Sequence, residues 1–301
     1  MKVYDENAGT LGYVFDRLEQ RVEALPPHLR GQGRAFLTWA GRGYFTQPDA
    51  APLMHLPLWM PQAVAPEVQL DLLEATALAY AYVRIQDNVI DEPGTRGHPP
   101  LLLLGNVFLW DALALWRRHT EARFEGLARE AWVVFSEFTE AERAQLQRRD
   151  GYSAHAFARH AQKCAMAELP LYAVMSVTGD WNAVDEVAPL VHGLASSYGC
   201  VNDVLGWERD LASDGNTYLL SRARALAIAD APPDEVARAL AGSPLMEEML
   251  VAAESHLASC QEPARRLGLR RFDAFHHARR LRLQDIRARV SVLRLANLLA
   301  S

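Results

Sequence analysis

The chain of 301 residues is 50% hydrophobic and 23% charged, a composition typical of a globular protein. Its net charge of −6 gives no general basic surface, so no nucleic-acid partner is expected. Three widely spaced cysteines without a CxxC pair indicate a reducing, cytoplasmic setting rather than a disulfide framework, and the N-terminus lacks the apolar core of a signal peptide.

Helical periodicity runs through most of the chain, and no segment has the alternation expected of a β-strand. Residues 66–91 predict one long helix, because apolar side chains recur three and four positions apart and Pro93 and Gly94 follow its end. Pro170 is expected to kink a helix at 153–178, since proline removes a helical hydrogen bond. Further helices are predicted at 100–116, 121–145, 185–212 and about 272–299.

No linker or repeat of fixed period divides the chain, which favours an all-α protein built as a single-domain helical bundle. We expect an N-terminal segment, 1–45, packed on a larger domain, 46–301. The most apolar stretch, 99–116, contains Gly105, Asn106 and Asp111, so we interpret it as a buried helix rather than a membrane span.

A first acidic cluster ends the helix predicted at 66–91. Asp87 and Asp91 are four residues apart, so both carboxylates leave one helix face, at the end where the helix dipole disfavours negative charge. Mg²⁺ would resolve this conflict, because it prefers hard oxygen ligands and completes its shell with water and substrate phosphate. The alternative is a solvated helix end that pairs with Arg84.

A second cluster has the sequence NDVLGWERD at 202–210. Asn202, Gly206 and Asp210 follow one another at steps of four, and Asp203 is seven residues before Asp210. This polar stripe could point into a cavity or into water. Two acidic helix faces opposed across a bundle would repel each other unless metal ions bridged them, which is how bundles build metal sites.

Both clusters resemble motifs of a known superfamily. The hexapeptide DNVIDE at 87–92 resembles the DDxxD motif of class I terpene synthases and prenyl diphosphate synthases, and also squalene and phytoene synthases. The segment 202–210 resembles the NDxxSxxxE-type motif of terpene synthases, while 100–106 and 162–165 are similar to the LLxGD helix and the KTA segment of prenyl diphosphate synthases. The resemblance covers about 66–220 and implies an isoprenoid synthase bundle with a central apolar cavity, acting as a homodimer.

The resemblance also implies roles for individual residues. One wall of the site would hold Mg²⁺ through Asp87 and Asp91, and the other through Asn202, Asp203 and Asp210. Four of these, Asp87, Asp91, Asn202 and Asp210, are the expected catalytic residues.

The remaining predicted site residues would contact a prenyl diphosphate substrate. Its diphosphate would be bound by Arg159, Lys163 and Arg209. Its hydrocarbon, once a cation, needs a dry apolar wall, which residues one or two turns before the metal ligands could supply. These residues are Tyr80, Val83 and Tyr198, for each of which plain core packing is the competing interpretation.

Two departures from the motifs leave several functions open. Asn88 replaces the second aspartate of the first motif, and Gly206 replaces the Ser/Thr ligand of the second. The form of the second motif favours a Mg²⁺-dependent terpene synthase that cyclises or rearranges a C15 or C20 chain. The alternatives are a prenyltransferase that couples the cation to a second prenyl diphosphate or another acceptor, and a non-catalytic subunit that binds prenyl diphosphate.

The last forty residues carry ten arginines. They could form a lid or contact an anionic substrate, but we favour a solvated helix face or a subunit contact. Those considered include Arg265, Arg266, Arg270, Arg271, Arg279, Arg280 and Arg282.

Overall fold

The computed structural model describes residues 7–47, 52–61, 63–91, 99–147, 152–227 and 231–300. These residues are mainly helical and include no strand, which confirms the all-α prediction. The chain divides into two compact units. The first comprises 1–132, 166–187 and 266–272, and the second comprises 133–165, 188–265 and 273–301.

Helices α1 to α6 and α9 belong to the first unit. Their bounds are α1 Ala8–Ala24, α2 Pro27–Ala40, α3 Arg42–Thr46, α4 Pro52–Trp59, α5 Pro66–Asp91, α6 Pro99–Arg117 and α9 Leu169–Thr178. Helix α7, Ala122–Gln147, begins in the first unit and ends in the second. The remaining helices lie wholly or almost wholly in the second unit. Their bounds are α8 Ala154–His160, α10 Val187–Ala212, α11 Tyr218–Leu226, α12 Pro233–Gly242, α13 Leu245–Ser259, α14 Gln261–Arg266 and α15 Phe272–Ala300.

Helix α5 is central to the first unit. Its residues 72–79 are all buried, as are Tyr82 and Ile85, and it packs against α1, α4, α6 and α9. Burial around most of its circumference explains why apolar residues occupy nearly every position of this stretch. The structure confirms the helix predicted at 66–91, with the same bounds.

The N-terminal helices are part of the first unit, where α1 packs on α5 and α2 packs on α6. Glu74 of α5 is buried with 1% exposure and pairs with both Arg17 and Arg21 of α1. Arg17 also binds Asp71 at 2.8 Å. A buried carboxylate needs such partners, because an unpaired charge in an apolar core is strongly destabilising.

The segment 153–178 is interrupted rather than kinked. Helix α8 ends at His160, a 3₁₀ stretch covers Ala161–Glu168, and α9 begins at Leu169. Pro170 therefore stands in the first turn of a new helix, where its missing N–H would have no intrahelical partner in any case. The prediction of a continuous kinked helix was wrong for this reason.

A close approach fixes α10 in the second unit. A Cβ atom added at Gly193 would lie 2.6 Å from Cys260 Sγ, so only glycine lets α10 pack this near the end of α13. Cys200 and Cys260 are buried free thiols and Cys164 is an exposed one, as expected for a chain without a disulfide framework.

Helix α6 has an exposed apolar side. Among the described residues, Pro100–Arg117 is the one stretch long and apolar enough to cross a membrane, judged on length and composition, and 33% of it is buried. Trp110 is 67% exposed and Leu103 is 52% exposed. The expectation of a buried helix therefore holds for only one face of α6.

Candidate active site

The first acidic motif occupies the last turns of α5. Asp87 is half-buried and accepts a hydrogen bond from Arg84 Nη1 at 2.8 Å, one turn earlier. The guanidinium of Arg84 in turn lies over the ring of Trp39, 5.4 Å from its centroid. Both residues needed for the alternative of a self-paired helix end are thus in contact. The side chain of Asp91 lies outside the described residues, so its predicted role as a ligand stays a prediction.

Tyr80 and Val83 lie one to two turns before Asp87 and are both half-buried. The ring of Tyr80 meets Phe45 edge to face, with 5.7 Å between the centroids. Tyr80 therefore belongs to an aromatic cluster of the first unit, which is consistent with core packing and leaves its predicted part in an apolar wall a prediction.

The second motif occupies the outer side of α10 in the second unit. Asn202 is exposed, and Asp210 is half-buried with 16% side-chain exposure. Asp210 Oδ1 accepts two hydrogen bonds from Arg209, from Nε at 3.1 Å and from Nη2 at 3.0 Å. A Cβ at Gly206 would lie 2.9 Å from Arg209 Nη2 and 3.2 Å from Asp210 Oδ2. The absent side chain of Gly206 thus makes room for this ion pair.

Asp203 has a structural role that the sequence did not indicate. It is buried with 8% exposure, and its Oδ2 accepts the backbone N–H of Leu219 at 3.2 Å. Thr217 caps the same helix, α11, by accepting the N–H of Leu220. Burial raises the pKa of Asp203 to about 6, against the effect of the backbone N–H groups of Leu219 and Tyr218. Asp203 therefore supports the start of α11 from a buried position, whereas Asn202 is exposed. This structural role competes with the metal role predicted for Asp203.

The predicted diphosphate contacts also have partners within the second unit. Lys163, with 11% side-chain exposure, pairs with Glu142 near the end of α7, and His160 Nε2 lies 3.3 Å from the same carboxyl group. Arg159 is exposed, and its guanidinium lies over the ring of Phe138 at 5.0 Å from the centroid. Arg159 is thus exposed to solvent, whereas Lys163 is largely buried and shares its charge with Glu142.

Tyr198 lies one turn before Asn202 on α10, and its ring already contacts a cationic side chain. The guanidinium of Arg279, from α15, is 3.9 Å from the centroid of its ring. Arg279 therefore occupies one face of this ring, which competes with the predicted contact between Tyr198 and a carbocation. Arg279 is buried with 4% exposure, so the solvated-face interpretation of the C-terminal arginines was wrong for this residue, while it holds for exposed Arg280.

The oxygen donors suit Mg²⁺ only together with a ligand. Among the described residues, no three His, Cys, Asp or Glu side chains form a group that could hold a metal ion. Asp87 and Asp210 each offer carboxylate oxygens, and Asn202 an amide oxygen, at partly or fully exposed positions. Because Mg²⁺ binds one or two carboxylates and takes its other ligands from water and phosphate, these donors fit an ion that arrives with a diphosphate.

Comparisons with known proteins give a consistent fold. No protein-family model matches the chain, and no curated protein matches it significantly. Several solved structures, however, are similar to the chain. A geranylgeranyl pyrophosphate synthase from Lactobacillus brevis is 14% identical with a TM-score of 0.72, over 90% of this chain and 97% of that chain. A geranylgeranyl pyrophosphate synthetase from the archaeon Geoglobus acetivorans is 12% identical with a TM-score of 0.71, over 90% and 98%.

A third similar structure contains ligands. A polyprenyl synthase from Caulobacter crescentus, solved with calcium and isoprenyl diphosphate, is 14% identical with a TM-score of 0.69, over 91% of this chain and 94% of that chain. These likenesses show that the chain shares the all-α fold of these solved structures.

Proposed function

We propose that the protein is a Mg²⁺-dependent prenyltransferase, which ionises an allylic prenyl diphosphate and couples the prenyl cation to an acceptor. The observation that carries the proposal is the pair of acid-bearing helices, α5 with Asp87 and α10 with Asn202 and Asp210, in a chain with this fold. Similar solved structures are named as prenyl diphosphate synthases, which favours coupling over the cyclisation that the second motif alone suggested.

In this proposal Asp87 and Asp91 hold one metal position and Asn202 and Asp210 another. When bound, Mg²⁺ supplies Lewis-acid neutralisation of the departing diphosphate. The protein's own cations add to this by binding the diphosphate oxygens, with Arg209 beside Asp210 and Arg159 on α8 as the exposed contributors.

The hydrocarbon must be kept from water, because the ionised fragment would otherwise be quenched. Tyr80, Val83 and Tyr198 are the residues proposed to bind it. Each is half-buried, so each has surface left for a ligand.

A terpene synthase is the second candidate. Asn202 and Gly206 stand where a prenyl diphosphate synthase would carry aspartates of a second DDxxD motif, and this departure favours an enzyme that uses no second diphosphate. A non-catalytic binding subunit is the third candidate, kept open by Asn88 and by the Arg209–Asp210 pair.

One assay separates the three. Geranyl, farnesyl and geranylgeranyl diphosphates are each incubated with and without isopentenyl diphosphate, in Mg²⁺ or in EDTA, and diphosphate release and extractable products are recorded. A prenyltransferase lengthens the chain only when the second diphosphate is present. Diphosphate release from one substrate alone, with a hydrocarbon or alcohol product, indicates a terpene synthase. Tight binding without turnover indicates the binding subunit.

Site variants test the assignment of residues. Asp87→Ala and Asn202→Ala should each abolish turnover while the circular dichroism spectrum stays helical. Asp234→Ala is the control, because Asp234 is exposed in the first turn of α12, away from both motifs in sequence. Near-normal activity in either site variant would refute the metal assignment.

Homodimer formation and a cytoplasmic location stay predictions. The exposed side chains of Leu103 and Trp110 on α6 are apolar surface of the kind that a subunit contact covers. If α6 forms such a contact, Trp110→Glu should shift the mass measured by light scattering from dimer to monomer.

A further inference from the structure

Arg279 interrupts the apolar face of α15. The buried positions of this helix include Phe272, Phe275, Leu283 and Val290, and Arg279 falls on the same face between them. The helical spacing would accept leucine at this position without any change of pattern. Arg279 has 4% exposure, and besides it the described buried positions of this face hold only apolar side chains and His276.

The charge of Arg279 has no anion beside it. Within the described residues, its Nε has no hydrogen-bond partner and no carboxylate forms an ion pair with it. His276, one turn earlier, is no counter-ion, because burial lowers the pKa of its imidazole and favours the neutral form. A buried cation without an anion is costly, and ordinary packing gives no reason for it.

The surroundings orient the guanidinium for an anion. Its Cζ atom lies over the ring of Tyr198, 3.9 Å from the centroid. This cation–π contact does not use the N–H groups as hydrogen-bond donors to another residue, and such N–H groups are the donors with which arginine binds phosphate.

The position also matches the polar stripe of α10. Tyr198, Asn202, Gly206 and Asp210 follow one another at steps of four, so Arg279 meets the stripe at its N-terminal end and Arg209 meets it at Asp210. Both arginines and the stripe belong to the second unit.

We propose that Arg279 binds an oxygen of the substrate's diphosphate group, and that Tyr198 is the positioning residue that holds its guanidinium for this contact. The inference rests on the proposed function and adds a cation from α15 to the predicted set. The bound anion supplies the negative charge that Arg279 lacks in the described structure. The burial of Arg279 then strengthens the contact, because a charge-assisted hydrogen bond is stronger away from water.

The test compares Arg279→Leu with Arg280→Leu, since Arg280 is the exposed neighbour and both changes remove one positive charge. Inorganic pyrophosphate binding is measured by calorimetry, with Mg²⁺ and in EDTA, and unfolding is measured in urea. Arg279→Leu should be at least as stable as the wild type, because leucine suits the apolar face. It should nevertheless bind pyrophosphate about tenfold or more weakly, the loss expected for one charge-assisted hydrogen bond. Arg280→Leu should bind like the wild type.

Variants of Tyr198 give a second measurement that does not depend on how Arg279→Leu folds. Tyr198→Phe keeps the stacked ring and should retain pyrophosphate affinity, whereas Tyr198→Leu removes the ring and should lower it. A merely structural tyrosine would not separate the two when both variants are folded.

The outcomes separate a failure of the Arg279 contact from a failure of the proposed function. If the wild type binds pyrophosphate and Arg279→Leu binds it equally well, Arg279 is a core residue and this inference is wrong while the proposed function stands. If the wild type binds no pyrophosphate under either condition, the proposed function fails and the inference fails with it.

Discussion

The substitution Gly206→Ala probes how tightly Arg209 is held on Asp210. The added Cβ would lie 2.9 Å from Arg209 Nη2, so the guanidinium must move and its two hydrogen bonds to Asp210 must lengthen or break. Two effects on stability then oppose each other. Alanine in a helix interior is favoured over glycine by about 1 kcal/mol. Loss of the ion pair costs less, about 0.5 kcal/mol, because the Arg209 side chain is 73% exposed and screened by solvent.

We therefore expect Gly206→Ala to raise the free energy of unfolding by about 0.5 kcal/mol, measured by urea titration followed by circular dichroism. Gly126→Ala in α7 is the matched control, because no atom lies within 4 Å of the Cβ added there. It should gain the full helix-propensity term of about 1 kcal/mol. The difference between the two glycines then reports the cost of displacing Arg209.

The same comparison in an Arg209→Gln background tests the cause. Without the guanidinium, Gly206→Ala should gain as much stability as Gly126→Ala. If Gly206→Ala is strongly destabilising in both backgrounds, the space beside Gly206 is needed for something other than the Arg209–Asp210 pair, and the reasoning is refuted. If Asp210 is a metal ligand, Gly206→Ala and Arg209→Gln should each also tighten Mg²⁺ binding measured by calorimetry, because each releases the Asp210 carboxylate from Arg209.

Three further predictions concern buried polar groups. Burial lowers the pKa of His55 from 6.5 to about 4, so the unfolded chain takes up a proton at higher pH than the folded protein does. The free energy of unfolding, measured by urea titration, should therefore be constant above pH 6.5 and fall by up to about 3 kcal/mol towards pH 4. The variant His55→Phe should lose this dependence on pH. Asp203→Asn should be more stable than Asp203→Leu by about 1–3 kcal/mol in unfolding at neutral pH, because only the amide still accepts the Leu219 N–H; equal stabilities would contradict the capping role. Glu142→Gln should destabilise the fold yet tighten pyrophosphate binding measured by calorimetry, because it removes the negative charge of Glu142 from beside Lys163; unchanged affinity would mean that Lys163 does not reach the ligand.

The elements that the sequence predicts well are those whose periodicity is local. Helix α5 has its predicted bounds, and α10 and α15 lie within two residues of theirs, because long apolar repeats of three and four positions allow few other structures. The break at 161–168 was missed, since the pattern alone does not distinguish a kinked helix from two helices joined by a 3₁₀ stretch.

The site was less predictable because its partners are distant in sequence. Asp203 meets the N–H of a residue sixteen positions later, and Lys163 meets a carboxylate twenty-one positions earlier. No spacing rule signals such contacts. Arg279 stands among exposed arginines, and only the regular spacing of Phe272, Phe275 and Leu283 on the buried face could have marked it.

The ion pairs of Glu74 mean that α1 does more than cover the apolar core, because it also neutralises a buried charge there. Arg17 and Arg21 reach from α1 to a carboxylate that has 1% exposure, so the apolar helix α5 receives its neutralising charge from the start of the chain. A shortened protein that begins after α1 would bury an anion without these two cations, which would favour local unfolding around Glu74. Helix α1 is therefore needed for the stable packing of α5, the helix that carries the first acidic motif.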